Sequence, residues 1–201
     1  MEKILMVASA NPGKVWEIQA ILSALDLTIL SAKDAGVTLH VPETGQTYTE
    51  NARIKAETYQ IASGLIVLAD DSGLEVDALN GAPGIYSARY AGIPNATDAD
   101  RRGYLLQRLA GLPQPWPAHF YCTAILAGPT GVLATEEGRC DGQIIPEERG
   151  SGGFGYDPLF FIPAEGATMA ELSEDRKNQI SHRARAVLAL IPALQKIFDL
   201  N

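Results

Sequence analysis

Two adjacent carboxylates, Asp70 and Asp71, follow the wholly apolar run from Leu65 to Ala69. Side by side they repel each other, and a metal ion is the usual way to offset that repulsion. The plainer alternative is a turn in which Asp70 caps the loop backbone. Read as the carboxyl end of a strand, this is where ligands of α/β sheets tend to bind. Neighbouring side chains there diverge, so one aspartate is expected in the site and the other in support. A second cluster, Ser9-Ala10-Asn11-Pro12-Gly13-Lys14, joins an apolar run to a helical pattern. Backbone N–H groups at such a helix start suit phosphate, and Lys14 in the first turn opposes the helix dipole unless an anion offsets it. An ordinary strand-to-helix turn reads the same way, since one glycine is not a Walker A loop.

Asn51 and Lys55 stand four apart on a predicted helix and could reach a common ligand, or simply face solvent. Phe154-Gly155-Tyr156-Asp157, after Gly150-Ser151-Gly152-Gly153, interleaves aromatics with glycines beside an acid. Glycines permit close backbone approach and a ring could stack on a base, or the aromatics could be core. Lys177 and Ser181-His182-Arg183 gather cationic and donor groups where the last helix begins; the plainer reading has Ser181 as its N-cap and Arg183 in water. Cation clusters, a carboxylate pair and a stacking loop together fit a nucleoside triphosphate with magnesium better than any one of them alone.

The elements that must position these residues are legible as patterns. Ile4 to Ala8 reads as a buried strand, and a helix is predicted from about Lys14 to Leu25 with Val15, Ile18, Ile21, Leu22 and Leu25 on one face. Thr28 to Leu30 is a short strand, and Glu43-Thr44-Gly45 lies in a loop. Thr47 and Glu50 have capping-box spacing ahead of a helix that Gly64 ends. Leu65 to Ala69 and Leu74 to Val76 read as two strands separated by Asp70 to Gly73. A loop from Asn80 to Asn95 precedes a helix near Asp98 to Leu109, and Pro113, Pro115 and Pro117 form a connector. Strands follow at His119 to Ala127, Val132 to Arg139 and Gln143 to Ile145, and a helix from about His182 to Phe198 is interrupted near Pro192. The pattern predicts an α/β fold with a mixed sheet, in one domain over residues 1–201.

The formal net charge of -8, from 24 acids against 16 bases, argues against a nucleic-acid polymer as partner, which needs a broad basic track. A local pocket of lysines for a small anion remains compatible with it. His40 and His119 suggest no zinc site, and no Ser/His/Asp pattern is present. Cys122 and Cys140 are too few for a disulfide framework and read as buried free thiols. Ile4 to Ala8 is too short for a signal-peptide core, and no run approaches a membrane span, so a cytoplasmic location is expected.

The chain resembles the non-standard purine triphosphate pyrophosphatases, the ITPase or Ham1-like family, along almost its whole length. The stretches that carry the resemblance are Ser9 to Lys14, Glu43 to Gly45, Glu50-Asn51-Ala52, Lys55-Ala56, Ala69 to Asp77, Gly81 to Tyr90, Gly152 to Pro158, and Glu171 to Arg183 with Lys177 and Ser181-His182-Arg183. The resemblance implies hydrolysis of ITP, dITP and XTP to monophosphate and pyrophosphate. It implies Asp71 as the catalytic carboxylate, positioning Mg2+ together with Glu43. Ser9, Ala10, Asn11, Pro12, Gly13 and Lys14 would hold phosphates, Lys55 would add charge, and Ser72 belongs to the same loop as Asp70 and Asp71. The base and sugar would lie against Phe154, Gly155, Tyr156 and Asp157, with Lys177, His182 and Arg183 reading the purine. An elongated mixed sheet flanked by helices, two lobes with a cleft, and a homodimer are also implied. One departure stands out: the family usually has Thr-Gly-Asn where this chain has Ser9-Ala10-Asn11. If Ala10 had to take a positive φ, the cost would be roughly 1 kcal/mol.

Overall fold

The structure, a computed structural model, describes residues 3–200. Its seven-stranded sheet has the order β2-β1-β3-β4-β5-β6-β7. β1 (Ile4–Val7) pairs in parallel with β2 (Thr28–Ser31) and with β3 (Ile66–Val76), while β5 (Gly131–Ile144) and β6 (Phe160–Ile162) are antiparallel, as are β6 and β7 (Ala167–Thr168). β4 (Trp116–Gly128) lies between β3 and β5. The sheet is therefore mixed, as the alternation of elements predicts. The helices are α1 (Pro12–Ile21), α2 (Tyr48–Ser63), α3 (Asp98–Leu109), α4 (Glu174–Ile180), α5 (His182–Ala189) and α6 (Ile191–Phe198).

Several boundaries differ from the sequence reading, with identifiable causes. Asp70-Asp71-Ser72-Gly73 is no turn: β3 runs unbroken for 11 residues through all four. Turn-rich composition is a local preference, and pairing with sheet neighbours outweighs it here. Likewise, the two predicted segments at 132–139 and 143–145 are one strand, β5. Pro117 lies in β4 itself, at its second residue, where a missing N–H disturbs least. α1 stops at Ile21, short of the predicted Leu25, whereas α4 and β7 carried no clear pattern. At α2 only half of the capping box forms. Thr47 accepts from the Glu50 N–H, but the Glu50 carboxylate accepts from Gln46 N rather than from Thr47.

The chain divides into two compact units. The first comprises Met1–Asp71, Cys122–Gly138 and Ser181–Asn201, the second Ser72–Tyr121 and Arg139–Ile180. In the first unit, strand alternation sorts the core into two layers. Leu5, Val7, Leu68, Ala124 and Leu126 pack with Ile18 and Leu22 after them on the α1 side and with Val187 of α5. Met6, Ala8, Val67, Ala69, Ile125 and Ala127 pack instead with Ala52, Ala56 and Tyr59 of α2. The second unit has its own core, in which Leu74, Leu105, Leu109, Trp116, Phe120, Tyr156 and Phe160 are buried together. Both cysteines are buried, and neither forms a disulfide. Among the described residues no helix is long and apolar enough to cross a membrane.

Candidate active site

The alternation that sorts the first unit's core also decides where the two aspartates go. Asp70 continues the series of Leu68 and meets α1 and α5. Its Oδ2 accepts from Lys14 Nζ at 3.0 Å and from Arg183 Nε at 3.1 Å. Asp71 continues the series of Val67 and Ala69 and meets α2. Its Oδ1 accepts from Lys55 Nζ at 2.9 Å and its Oδ2 from Asn51 Nδ2 at 3.2 Å. The expected divergence is thus present, produced by mid-strand pleating rather than by a strand end.

Lys55 bridges two acids, because Nζ also lies 2.9 Å from Glu43 Oε1. Burial disfavours its charge, but Asp71, Asp70 and Glu43 outweigh burial and hold its pKa above the ordinary value. Burial pushes the Asp71 carboxyl up, and Glu43 adds to this against the pull of Lys55 and Lys14, so its pKa is raised. Burial also opposes ionisation of Glu43, yet Lys55 prevails and its pKa is lowered, with a side-chain hydrogen bond from Asp71 contributing. Two carboxyl groups held against one ammonium keep further oxygen lone pairs that a cation can take. Two hard oxygen donors are what a protein commonly offers Mg2+, with water and phosphate completing the octahedron. No group of three or more His, Cys, Asp or Glu suited to a metal occurs among the described residues.

At the phosphate-loop candidate, Asn11 is the N-cap of α1. Its Oδ1 accepts from Gly13 N at 2.9 Å and Lys14 N at 3.3 Å, and Ser9 Oγ accepts from Asn11 N. These N–H groups are satisfied within the turn, which holds the loop's shape. Ala10, Asn11 and Pro12 are exposed, and Ala10 is not among the positive-φ residues, so its methyl group meets no conformational penalty. The anion that Lys14 requires is Asp70.

Arg183 is 2 % exposed. Besides Asp70, it engages Glu17 of α1 through Nη1 at 2.5 Å. Asp70 is buried, but Lys14, Arg183 and Lys55 hold its carboxyl far below the ordinary range. α5 reaches this position because Gly138 of β5 lies against its first turn: a Cβ there would come 2.0 Å from the His182 carbonyl oxygen. Ser181 caps α5 by accepting from Ala184 N, as predicted, and His182 is buried beside it.

In the second unit, Ser72 follows on β3, and the loop 150–157 is closely tied. Lys177 Nζ, on α4, lies 2.6 Å from Asp157 Oδ2 and 5.0 Å from the centre of the Phe154 ring. The same Asp157 oxygen accepts from Phe154 N. Gly153 sits at φ +69, where a Cβ would fall 2.1 Å from Asp157 Oδ2. Tyr156 is core, with its hydroxyl donating to Ser87 O at 2.9 Å. Gly155 is clamped at both ends, its N–H donating to Asp98 at 2.7 Å and its carbonyl accepting from Arg102 at 2.9 Å.

The structure places Lys55 between Glu43 and Asp71, and Lys177 against Asp157. The sequence reading gave no site role to Glu17, Asp98 or Arg102. Nothing local distinguishes a buried glutamate on α1 from a solvated one, and the α3 pair reads as an ordinary amphipathic helix.

Comparison with known proteins extends these observations. The chain is 49% identical over 187 residues to a dITP/XTP pyrophosphatase of Geobacter sulfurreducens, covering 92% of this chain and 94% of that one. It is likewise 49% identical over 198 residues to a dITP/XTP pyrophosphatase of Prochlorococcus marinus, covering 98% and 93%. A HAM1 protein from Coxiella burnetii superposes with a TM-score of 0.85 at 40% identity, covering 98% of this chain and 100% of that one. The Staphylococcus aureus Ham1 protein gives 0.84 at 40% identity, covering 97% and 100%. The sequence profile of the Ham1 family matches residues 5–193, and with these relatives it establishes that the chain belongs to the Ham1 family.

Proposed function

We infer that this protein hydrolyses non-standard purine nucleoside triphosphates, namely ITP, dITP and XTP, to the monophosphate and pyrophosphate. The relatives that carry this activity in their names are similar over nearly the whole chain. The single observation that carries the reading onto this molecule is the Glu43–Lys55–Asp71 cluster, in which one buried ammonium stands 2.9 Å from each of two carboxylates. Such a cluster pairs with a polyanion only through an added cation, which fits a metal–triphosphate substrate.

In the reaction, a water oxygen bonds to the α-phosphorus while the bond to the bridging oxygen breaks and pyrophosphate departs. Asp71 orients the water and accepts its proton. Lys14 and Lys55 offset charge that grows on the phosphate oxygens, the kind of electrostatic contribution that dominates phosphoryl chemistry. Ser9 and Asn11 shape the loop that receives the phosphates. Glu43 and Asp71 would hold Mg2+, whose charge adds to that of the lysines. Phe154, Gly155 and Lys177 take the base and sugar, with buried Tyr156 and Asp157 holding that loop. His182 reads the purine next to Arg183, whose guanidinium is committed to Asp70 and Glu17. Hypoxanthine and xanthine present a 6-oxo acceptor where adenine presents an amino donor, and a mismatched buried polar contact costs about 1–3 kcal/mol. The work is cleansing of the cytoplasmic nucleotide pool. A homodimer is part of the same proposal and is checked by light scattering, which should give twice 21.5 kDa.

The test is pyrophosphate release from ITP, XTP, GTP and ATP, with and without Mg2+, for wild type and Asp71→Asn. Metal-dependent release from ITP and XTP alone, lost in the variant, is expected. Equal rates on all four would remove the purine-reading role of this region. No release from any would remove the enzyme.

A further inference from the structure

Asn51 of α2 is fully buried and makes two hydrogen bonds that lead to the two proposed metal ligands. Its Oδ1 accepts from Gly45 N at 2.8 Å, and its Nδ2 donates to Asp71 Oδ2 at 3.2 Å. The amide can face only one way, because the backbone N–H must donate and the carboxylate must accept. Gly45 stands two residues beyond Glu43, in a stretch with no regular structure between Thr38 and Gln46. A Cβ on Gly45 would meet Asn51 Oδ1 at 2.8 Å and Glu50 Cβ at 2.6 Å, so the loop is drawn tightly onto the helix.

We propose that Asn51 is a positioning residue that holds the Glu43 loop and the Asp71 carboxylate together as a preformed divalent-cation site. The inference rests on the proposed metal-dependent function. Without such a brace, repulsion between the two carboxylates would favour withdrawal of the irregular loop. With it, Asp71 Oδ2 is engaged by the amide and Oδ1 stays on Lys55, which also holds Glu43. Groups that orient metal ligands in this way typically contribute roughly 10–100-fold to metal affinity.

The test uses Mn2+ as the probe, titrated by electron paramagnetic resonance into the whole protein without nucleotide, beside thermal melts and the Mg2+ dependence of pyrophosphate release. Asn51→Ala is expected to weaken Mn2+ binding about 10-fold or more and to shift half-saturating Mg2+ upward equally. Gly45→Ala strains the same brace from the loop side and serves alone if Asn51→Ala does not fold. The double variant should be little worse than Gly45→Ala, since both break one connection. Wild-type Mn2+ affinity in either single variant, whatever its melting temperature, would overturn the proposal, as would absence of Mn2+ binding by the wild type. Wild-type Mn2+ binding that is weakened in the variants, without pyrophosphate release from any purine triphosphate, would leave the brace standing and remove the proposed function instead.

Discussion

Asp70 and Arg183, 113 positions apart, meet at 3.1 Å with both side chains shut off from solvent. The contact joins the middle of β3 to the start of α5 and, through Lys14 and Glu17, includes two α1 residues about one turn apart. A guanidinium so held has little freedom, so its direction is set by the two acids.

Breaking this network should cost stability before it costs selectivity. Removing one partner of a buried ion pair leaves the others uncompensated, at about 3–5 kcal/mol. Arg183→Ala should therefore unfold well below the wild type in urea. Arg183→Lys should recover only part of the loss, since an ammonium cannot span Asp70 and Glu17 as a planar fork does. A variant as stable as wild type would show that the pairs contribute no net stability.

The pH dependence has a definite sign. Asp70 is held far below its ordinary pKa when folded. Its contribution is therefore complete above the unfolded value of about 4 and is lost as pH falls below that. Melting temperatures measured from pH 6 down to pH 2.5 should drop in the acid limb for wild type. Asp70→Asn should start lower and show a shallower acid limb. Parallel curves would remove Asp70 as the cause.

The opposite sign holds at Asp71, whose pKa is raised, so its ionisation costs stability above about pH 4. In EDTA at pH 7, Asp71→Asn should melt no lower than wild type. Added Mg2+ should raise the wild-type melting temperature and leave the variant unmoved. Turnover should fall on the order of 10²–10⁴-fold. A variant that melts several degrees lower in EDTA would make Asp71 a structural acid.

Gly153→Ala adds a methyl group into space held by the Asp157 carboxylate and Lys177 Nζ, at a φ of +69. The loop must shift, and with it the Lys177–Asp157 pair and the Phe154 ring. The expected outcome is a KM for ITP raised several-fold with a smaller change in kcat, read from steady-state kinetics. An unchanged KM would separate this loop from base binding.

Much of this protein was legible in its residues alone. Period-two and helical patterns identified β1, α2, α3 and the final helices, because burying an apolar face is a local requirement written in the spacing. The grouping of Glu43, Lys55 and Asp71 came from resemblance, and the hydrogen-bonded cluster agrees with it. Only the tertiary structure decided that Asp70 to Gly73 continues a strand, because pairing partners far along the chain outweigh a turn-like composition. That continuity sends Asp70 toward α1 and α5 and Asp71 toward α2. Glu17, Asp98 and Arg102 gained their contacts in the same way, since a polar residue on a helix looks alike in sequence whether water or a buried partner faces it.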